Sequence, residues 1–295
     1  MPGVLEDTAE GPVAAVYAEY RALTGLARTP LLLRELATPG PDVLTAVWAE
    51  LRPHYAGGGL HAAQRRLLAG LLLPTLRLAP SELADAGPDV GPDAGLLLRR
   101  VRVTLAMFAA ANATNLIVMH LLSGPDGDRP GGATAGVPDA GAADAGGDAP
   151  HDDDVAPLPL PEPGDLPPGR AEQVMTIARR LVDEPPPGWW PSLLLHLAPF
   201  PRLLEGVARE VDTHAEELRA LAVVVDGRAA TLAATLAATL AATLTTAHGP
   251  HASRSPLHGD ARSAADELAA RYRRVLPPLA VLAACPITVP DDASK

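Results

Sequence analysis

"RTPLLLRELATPGPDVLTAVWAEL", from Arg28 to Leu51, and "WWPSLLLHLAPFPRLLEGVAREV", from Trp189 to Val211, are two versions of one segment. Pro30, Leu32, Leu33, Leu36 and Ala37 meet identical partners at Pro191, Leu193, Leu194, Leu197 and Ala198. With one residue of the first copy dropped, Pro41, Leu44, Val47 and Glu50 meet Pro201, Leu204, Val207 and Glu210. These identities exceed what a chain rich in leucine and alanine gives by chance. The match extends upstream, where Val16, Arg21 and Leu23 face Val174, Arg179 and Leu181, and downstream, where His61 faces His214. A duplication explains the pattern.

The fold class follows from what fills the core. Hydrophobic residues make up 47% of the 295 residues but aromatics only 3%, so leucine, valine and alanine must do the packing. Apolar spacing of three and four residues recurs along the chain. In "GPVAAVYAEYRALTG", Val13, Val16, Tyr17 and Tyr20 share a helix face and Gly25 supplies a stop. "PDVLTAVWAELRPHY" and "GLLLRRVRVTLAMFAAAN" read as further helices. "SAADELAARYRRVL" reads as one whose start is fixed by Ser263 and Asp266 at capping-box spacing. The nearest approach to a strand is "LAVVVDG", and it is short. The expectation is an all-α protein of two pseudosymmetric helical repeats, 11–123 and 170–290, packed as one globular unit.

Between them lies 124–169, dense in Gly, Pro, Ala and Asp. It holds ten acidic residues against the single basic Arg129, a net −9 of the chain's −11. Few apolar residues and one sign of charge predict a disordered linker. The folded part is then nearly neutral, which argues against a nucleic-acid partner. Lys295 is the only lysine among 24 basic residues, a bias expected of a GC-rich bacterial genome. Cys285 is the only cysteine, so no internal disulfide forms, and its apolar helix-end setting is that of an inert thiol. An acidic N-terminus without an apolar stretch reads as lacking a signal peptide. The uncharged run 229–247 carries four leucines among alanines and threonines, too little for bilayer insertion. It reads as a buried helix. A cytoplasmic location without a membrane partner is expected. "HDDD" at His151–Asp154 and the group His248, His251, His258 and Asp260 contain ligand types but no metal-site spacing, so neither a metal nor a cofactor is expected.

The duplicated helical chain, with "LATPGPDVL" in one half, "LAPFPRLL" in the other and "FAAANATNLIVMHLL" closing the first half, resembles the group I 2-haloacid dehalogenase (halocarboxylic acid dehalogenase) family. The resemblance spans both repeats and excludes the linker. It implies an α-helical pseudo-twofold fold with the active site between the repeats, where water displaces halide from a 2-haloalkanoic acid. Such a reaction needs a carboxylate to take the proton of the water and an amide or hydroxyl to hold that water in line. By the resemblance Asn112 is the water-positioning asparagine. The position of the catalytic aspartate, next to Ser192, is occupied by Leu193, and two aromatic pocket positions are taken by Arg28 and Leu31.

A leucine accepts no proton, so the chain is expected to be inactive or altered as a hydrolytic dehalogenase while binding a small carboxylic acid. Arg28 would then act as a carboxylate clamp. Trp189 and Trp190 would line the pocket, or serve as core anchors. Asn112 and Asn115 also suit an ordinary helix N-cap. Two alternatives stand beside this reading: a non-enzymatic helical binding or interaction protein, and an active dehalogenase whose base has moved to Asp183 or Glu184. A second copy of the chain, making a homodimer, is a further admissible partner.

Overall fold

The computed structural model describes residues 3–26, 28–84, 93–123, 155–248 and 257–290. Its helices among these are α1 (Gly11–Thr24), α2 (Leu31–Leu36), α3 (Pro41–Ala56), α4 (Gly59–Leu67), α5 (Ala94–Ser123), α6 (Arg170–Leu181), α7 (Ser192–Leu197), α8 (Pro201–His248) and α9 (Gly259–Ala284). Three single-turn 3-10 segments join them, and the extended structure is one parallel pair of two-residue strands, β1 (Leu76–Arg77) and β2 (Ile287–Thr288). The protein is all-α. "LAVVVDG" lies inside α8 rather than in a strand.

The chain divides into two compact units. One comprises the described residues of Met1–Ala69, Asn112–Gly127 and Val225–Pro277; the other comprises those of Gly70–Ala111, Asp128–Val224 and Pro278–Lys295. Neither unit is a sequence half, since each draws on both 11–123 and 170–290.

In the first unit α1 packs on α3 through Val13, Val16, Tyr17 and Tyr20, all buried. Gly25 ends α1 with φ 70°, a left-handed backbone that costs a glycine nothing, and its N–H donates to the Arg21 carbonyl at 2.9 Å. Pro30, extended, starts α2, whose Leu32, Leu33 and Leu36 are 1% exposed or less. Pro41 then sits at the start of α3, where its missing N–H has no intrahelical acceptor to lose. Tyr20, Trp48 and Tyr55 form an aromatic cluster with ring centroids 5.4–6.1 Å apart.

The second unit repeats that order of elements. α6 leads to Pro191, then to six-residue α7, then to Pro201 at the start of α8. Leu193, Leu194, Leu195 and Leu197 of α7 are all buried. The β1 segment is tied to α8 by the buried Glu210, which accepts the Arg77 N–H at 2.8 Å, and by Arg209, which donates to the Arg77 carbonyl at 2.7 Å and pairs with Glu82. A Cβ at Gly206 would lie 2.6 Å from the Glu82 carboxylate, which would have to shift to admit it.

Several expectations need correction. The segment 124–169 is not a linker throughout. Its first part, 124–154, lies outside the described residues, but within 155–169 Leu158 packs into the core. Leu158 is 1% exposed, its N–H donates to Thr104 Oγ1 at 2.9 Å, and its carbonyl accepts from His196 Nδ1 at 2.6 Å. One leucine in a Pro-rich stretch is invisible to composition yet fills a core position.

Ser263 does not start a helix, because α9 begins a turn earlier at Gly259 and Asp266 pairs instead with Arg262 at 2.8 Å. Asn112 and Asn115 are not N-caps; α5 runs unbroken through both. The run 229–247 is helical but mostly exposed, with Leu232, Leu236, Leu240 and Leu244 half-buried. Leucines every fourth residue make a stripe one side chain wide, which covers little. Thr231, Thr235, Thr239 and Thr243 bond back to carbonyls four residues earlier, at 2.8–3.1 Å.

Helices Ala94–Ser123 and Pro201–Thr246 are long and apolar enough to cross a membrane, a test that a core helix also passes. The most apolar stretch of the first is 44% buried within the protein and that of the second 22%.

Leu158→Ala should therefore cost about 2–4 kcal/mol, the usual range for emptying a packed leucine site. Urea unfolding of the full chain measures it. A change within about 0.5 kcal/mol would show that 155–169 does not contribute to the core.

Candidate functional site

The residues expected to form the site fall into two local stretches and one helix position. In the second unit Trp189 and Trp190 are half-buried ahead of Pro191, and Ser192 opens α7, also half-buried. Leu193 is fully buried, flanked by the equally buried Leu194 and Leu195. The position where the resemblance expects a carboxylate is an apolar core site. In the first unit Leu31 opens α2 and is half-buried, whereas Arg28 is exposed. A guanidinium in water binds an anion weakly against solvent and salt, so Arg28 is not the expected clamp.

Asn112 is 7% exposed in the middle of α5, and its Nδ2 has no hydrogen-bond partner. A buried amide donor without a protein acceptor is costly by about 1–3 kcal/mol unless a water or ligand meets it. Asp183 and Glu184 follow α6 in the exposed connection to Trp189; the Asp183 side chain is 88% exposed, 3.8 Å from Arg219.

Two groupings in the first unit escaped the sequence reading. The first centres on Arg34 of α2, half-buried, with its Nε out of water and without a partner. It stands close enough to Tyr17 of α1 and Tyr272 of α9 for its charge to act on both phenols. Burial pushes each phenol up to about 12, and the Arg34 charge pulls each back. Tyr17 donates to the Val4 carbonyl at 3.1 Å, but the Tyr272 hydroxyl is buried and unpartnered.

The neighbouring acids are engaged elsewhere. Glu35 pairs with Arg271, which lies 5.3 Å over the Tyr272 ring, and Glu6 takes Arg21 at 3.2 Å and the Thr29 N–H. One signal was available: where the two similar segments are aligned, Arg34 stands opposite Leu195.

The second grouping is His120, Asp226 and Arg273. His120 lies two turns beyond Asn112 on α5; its side chain is 7% exposed and its Nε2 donates to Asp226 Oδ1 at 2.8 Å. Arg273 reaches Asp226 Oδ2 at 3.5 Å. Burial raises the Asp226 pKa, but the hydrogen bond and charge of His120, with Arg273, outweigh it and hold the carboxyl below its ordinary 3.8. A carboxylate orienting a buried imidazole is the arrangement of a positioned general base.

Cys285 is buried, its Sγ donates to the Val281 carbonyl at 3.2 Å, and burial pushes the thiol up to about 12, an unreactive setting. No group of three or more metal-ligating side chains occurs among the described residues. His151–Asp154 and His251 lie outside them.

No protein-family model matches the chain, and no curated protein or solved structure is similar to it.

Because Asp226 is held low in the folded state, its contribution to stability is present above the unfolded pKa of about 4 and is lost as pH falls through the folded value. Asp226→Asn should flatten this acid limb. Thermal unfolding followed from neutral to about pH 2.5 gives the comparison, and parallel acid limbs in the two proteins would refute the role of Asp226.

Proposed function

We propose that this chain is a 2-haloacid dehalogenase-like protein that binds a small carboxylic acid and has lost hydrolytic dehalogenation. The observation that carries the reading is Leu193, fully buried among leucines where the reaction needs a carboxylate. Asn112 supports the binding half, with a buried amide donor free to meet a ligand or a water. The repeated order α1–α2–α3 and α6–α7–α8, each with its paired prolines, supports two pseudosymmetric repeats over 11–123 and 170–290. On this reading the protein works in the cytoplasm without cofactor, nucleic acid or membrane.

A second reading has one observation in its favour. The His120–Asp226 pair supplies an oriented base on the same helix as Asn112, eight residues along, or roughly 12 Å. A displaced base would then be His120 rather than Asp183 or Glu184.

The full chain should release no halide from 2-chloropropionate above the uncatalysed rate, since general-base assistance is worth about 10² to 10⁴ in rate. It should still bind the acid, and Asn112→Leu should weaken that binding about tenfold. Leu193→Asp should not restore turnover. A carboxylate placed in that apolar setting is pushed toward its neutral form, at a stability cost of about 1–3 kcal/mol. Halide release by the unmodified protein would overturn the proposal, and its loss in His120→Ala would establish the second reading.

A further inference from the structure

We infer that the stretch of α8 from Ala234 to Thr246 is a docking face for a second copy of this chain, two such stretches packing across a twofold axis. The inference stands on its own observations and does not depend on the functional reading above.

From Ala234 to Thr246 no residue of the helix is buried. Leu236, Leu240 and Leu244 are only half covered, the alanines between them are exposed, and the run 229–247 that contains them holds no charge. The threonines do not make this surface polar. Thr231, Thr235, Thr239, Thr243, Thr245 and Thr246 each turn the hydroxyl back to the carbonyl four residues earlier, at 2.8–3.1 Å, which leaves the methyl group outermost. The result is a helix face about 20 Å long with no charge and no hydroxyl in need of a partner. An uncovered apolar surface of that kind marks an interaction site.

Three features select a second copy as what covers it. The four-residue repeat Thr-Leu-Ala-Ala lays Leu236, Leu240 and Leu244 along one row of the helix surface and Ala237 and Ala241 along the next, so one face carries both a ridge and a groove. A twofold axis sets the ridge of each copy into the groove of the other, an isologous fit in which both sides are the same surface. Charge is the second feature. Each copy carries a formal −11, and this run lets two copies meet without bringing their acids together. The third is area: covering the face in both copies removes roughly 1,000 Å² from water, the low end for a specific interface, which makes the dimer weak and reversible. A bilayer fits less well, because the run offers no basic or aromatic residue to the headgroup region.

The test is sedimentation velocity of the full chain from about 1 to 300 μM. A monomer–dimer equilibrium with a Kd on the order of 10–100 μM is expected. Sodium chloride should leave it unchanged or tighten it, since the face holds no ion pair to screen and the repulsion between copies is screened. Ala241→Glu and Ala237→Glu each put a carboxylate into the groove at an exposed helix position. Each should weaken association at least tenfold without lowering the melting temperature. Leu240→Ala trims the ridge and should weaken it by a smaller factor.

A monomer throughout that range overturns the inference, as does a dimer that both glutamate variants leave intact or that salt dissociates. If both glutamate variants melt below the unmodified chain, Ala241→Gln replaces them, being uncharged and favourable to a helix, and an unchanged dimer there overturns the face equally. Flotation of the unmodified chain with vesicles of phosphatidylcholine and phosphatidylglycerol, abolished by Ala241→Glu, overturns the second copy as the occupant in favour of a membrane.

Discussion

Burial of the leucine faces of α2 and α7 is the interaction on which both units rest. A six-residue helix forms too few backbone hydrogen bonds to repay its nucleation in water, so neither segment would be helical alone. Each is helical because its leucines, Leu32, Leu33 and Leu36 in one and Leu193, Leu194 and Leu197 in the other, are almost fully removed from solvent. Prolines fix the boundaries: Pro30 and Pro191 are extended before the first turn, and Pro41 and Pro201 start the next helix. Removing a buried leucine here therefore removes the reason for the secondary structure as well as a contact. On the proposed reading, the position of the catalytic aspartate is one of these structural leucines, so restoring a carboxylate there would disturb the core.

The same two helices differ in one residue with large consequences. Arg34 and Leu195 hold corresponding places, yet Leu195 is 4% exposed in apolar surroundings, while Arg34 brings a charge to a helix whose other face is core. The two matching segments keep their packing positions and differ elsewhere. In α7 the change completes an apolar surface; in α2 it introduces a cation beside two buried phenols.

Much of the fold was legible because it depends on local rules. The end of α1 at Gly25, the prolines that start α3 and α8, and the periodic leucines each act within a few residues, and each is found where the sequence put it. What was not legible depends on partners distant in sequence. The half-exposed leucine stripe of 229–247 has the same pattern as a buried one, and only the neighbours decide. Leu158 in a Pro-rich stretch has no period to betray it, since its environment is Thr104 and His196, 54 and 38 residues away. The site followed the same division. Asn112 and Leu193 were singled out by the resemblance alone, whereas the His120–Asp226 pair joins residues 106 apart and no spacing announces it.

The unpaired donors bear on why such a chain would keep them. A domain is stable by only about 5–15 kcal/mol, and one buried unsatisfied donor costs about 1–3. Asn112 Nδ2, Arg34 Nε and the Tyr272 hydroxyl lie in the same compact unit, so together they cost a sizeable fraction of that margin. Leucine, methionine and phenylalanine would fill the same three volumes without the penalty, and the rest of this core shows how readily the chain uses leucine. On the functional reading proposed above, the amide of Asn112 is retained because a bound acid offers it an acceptor.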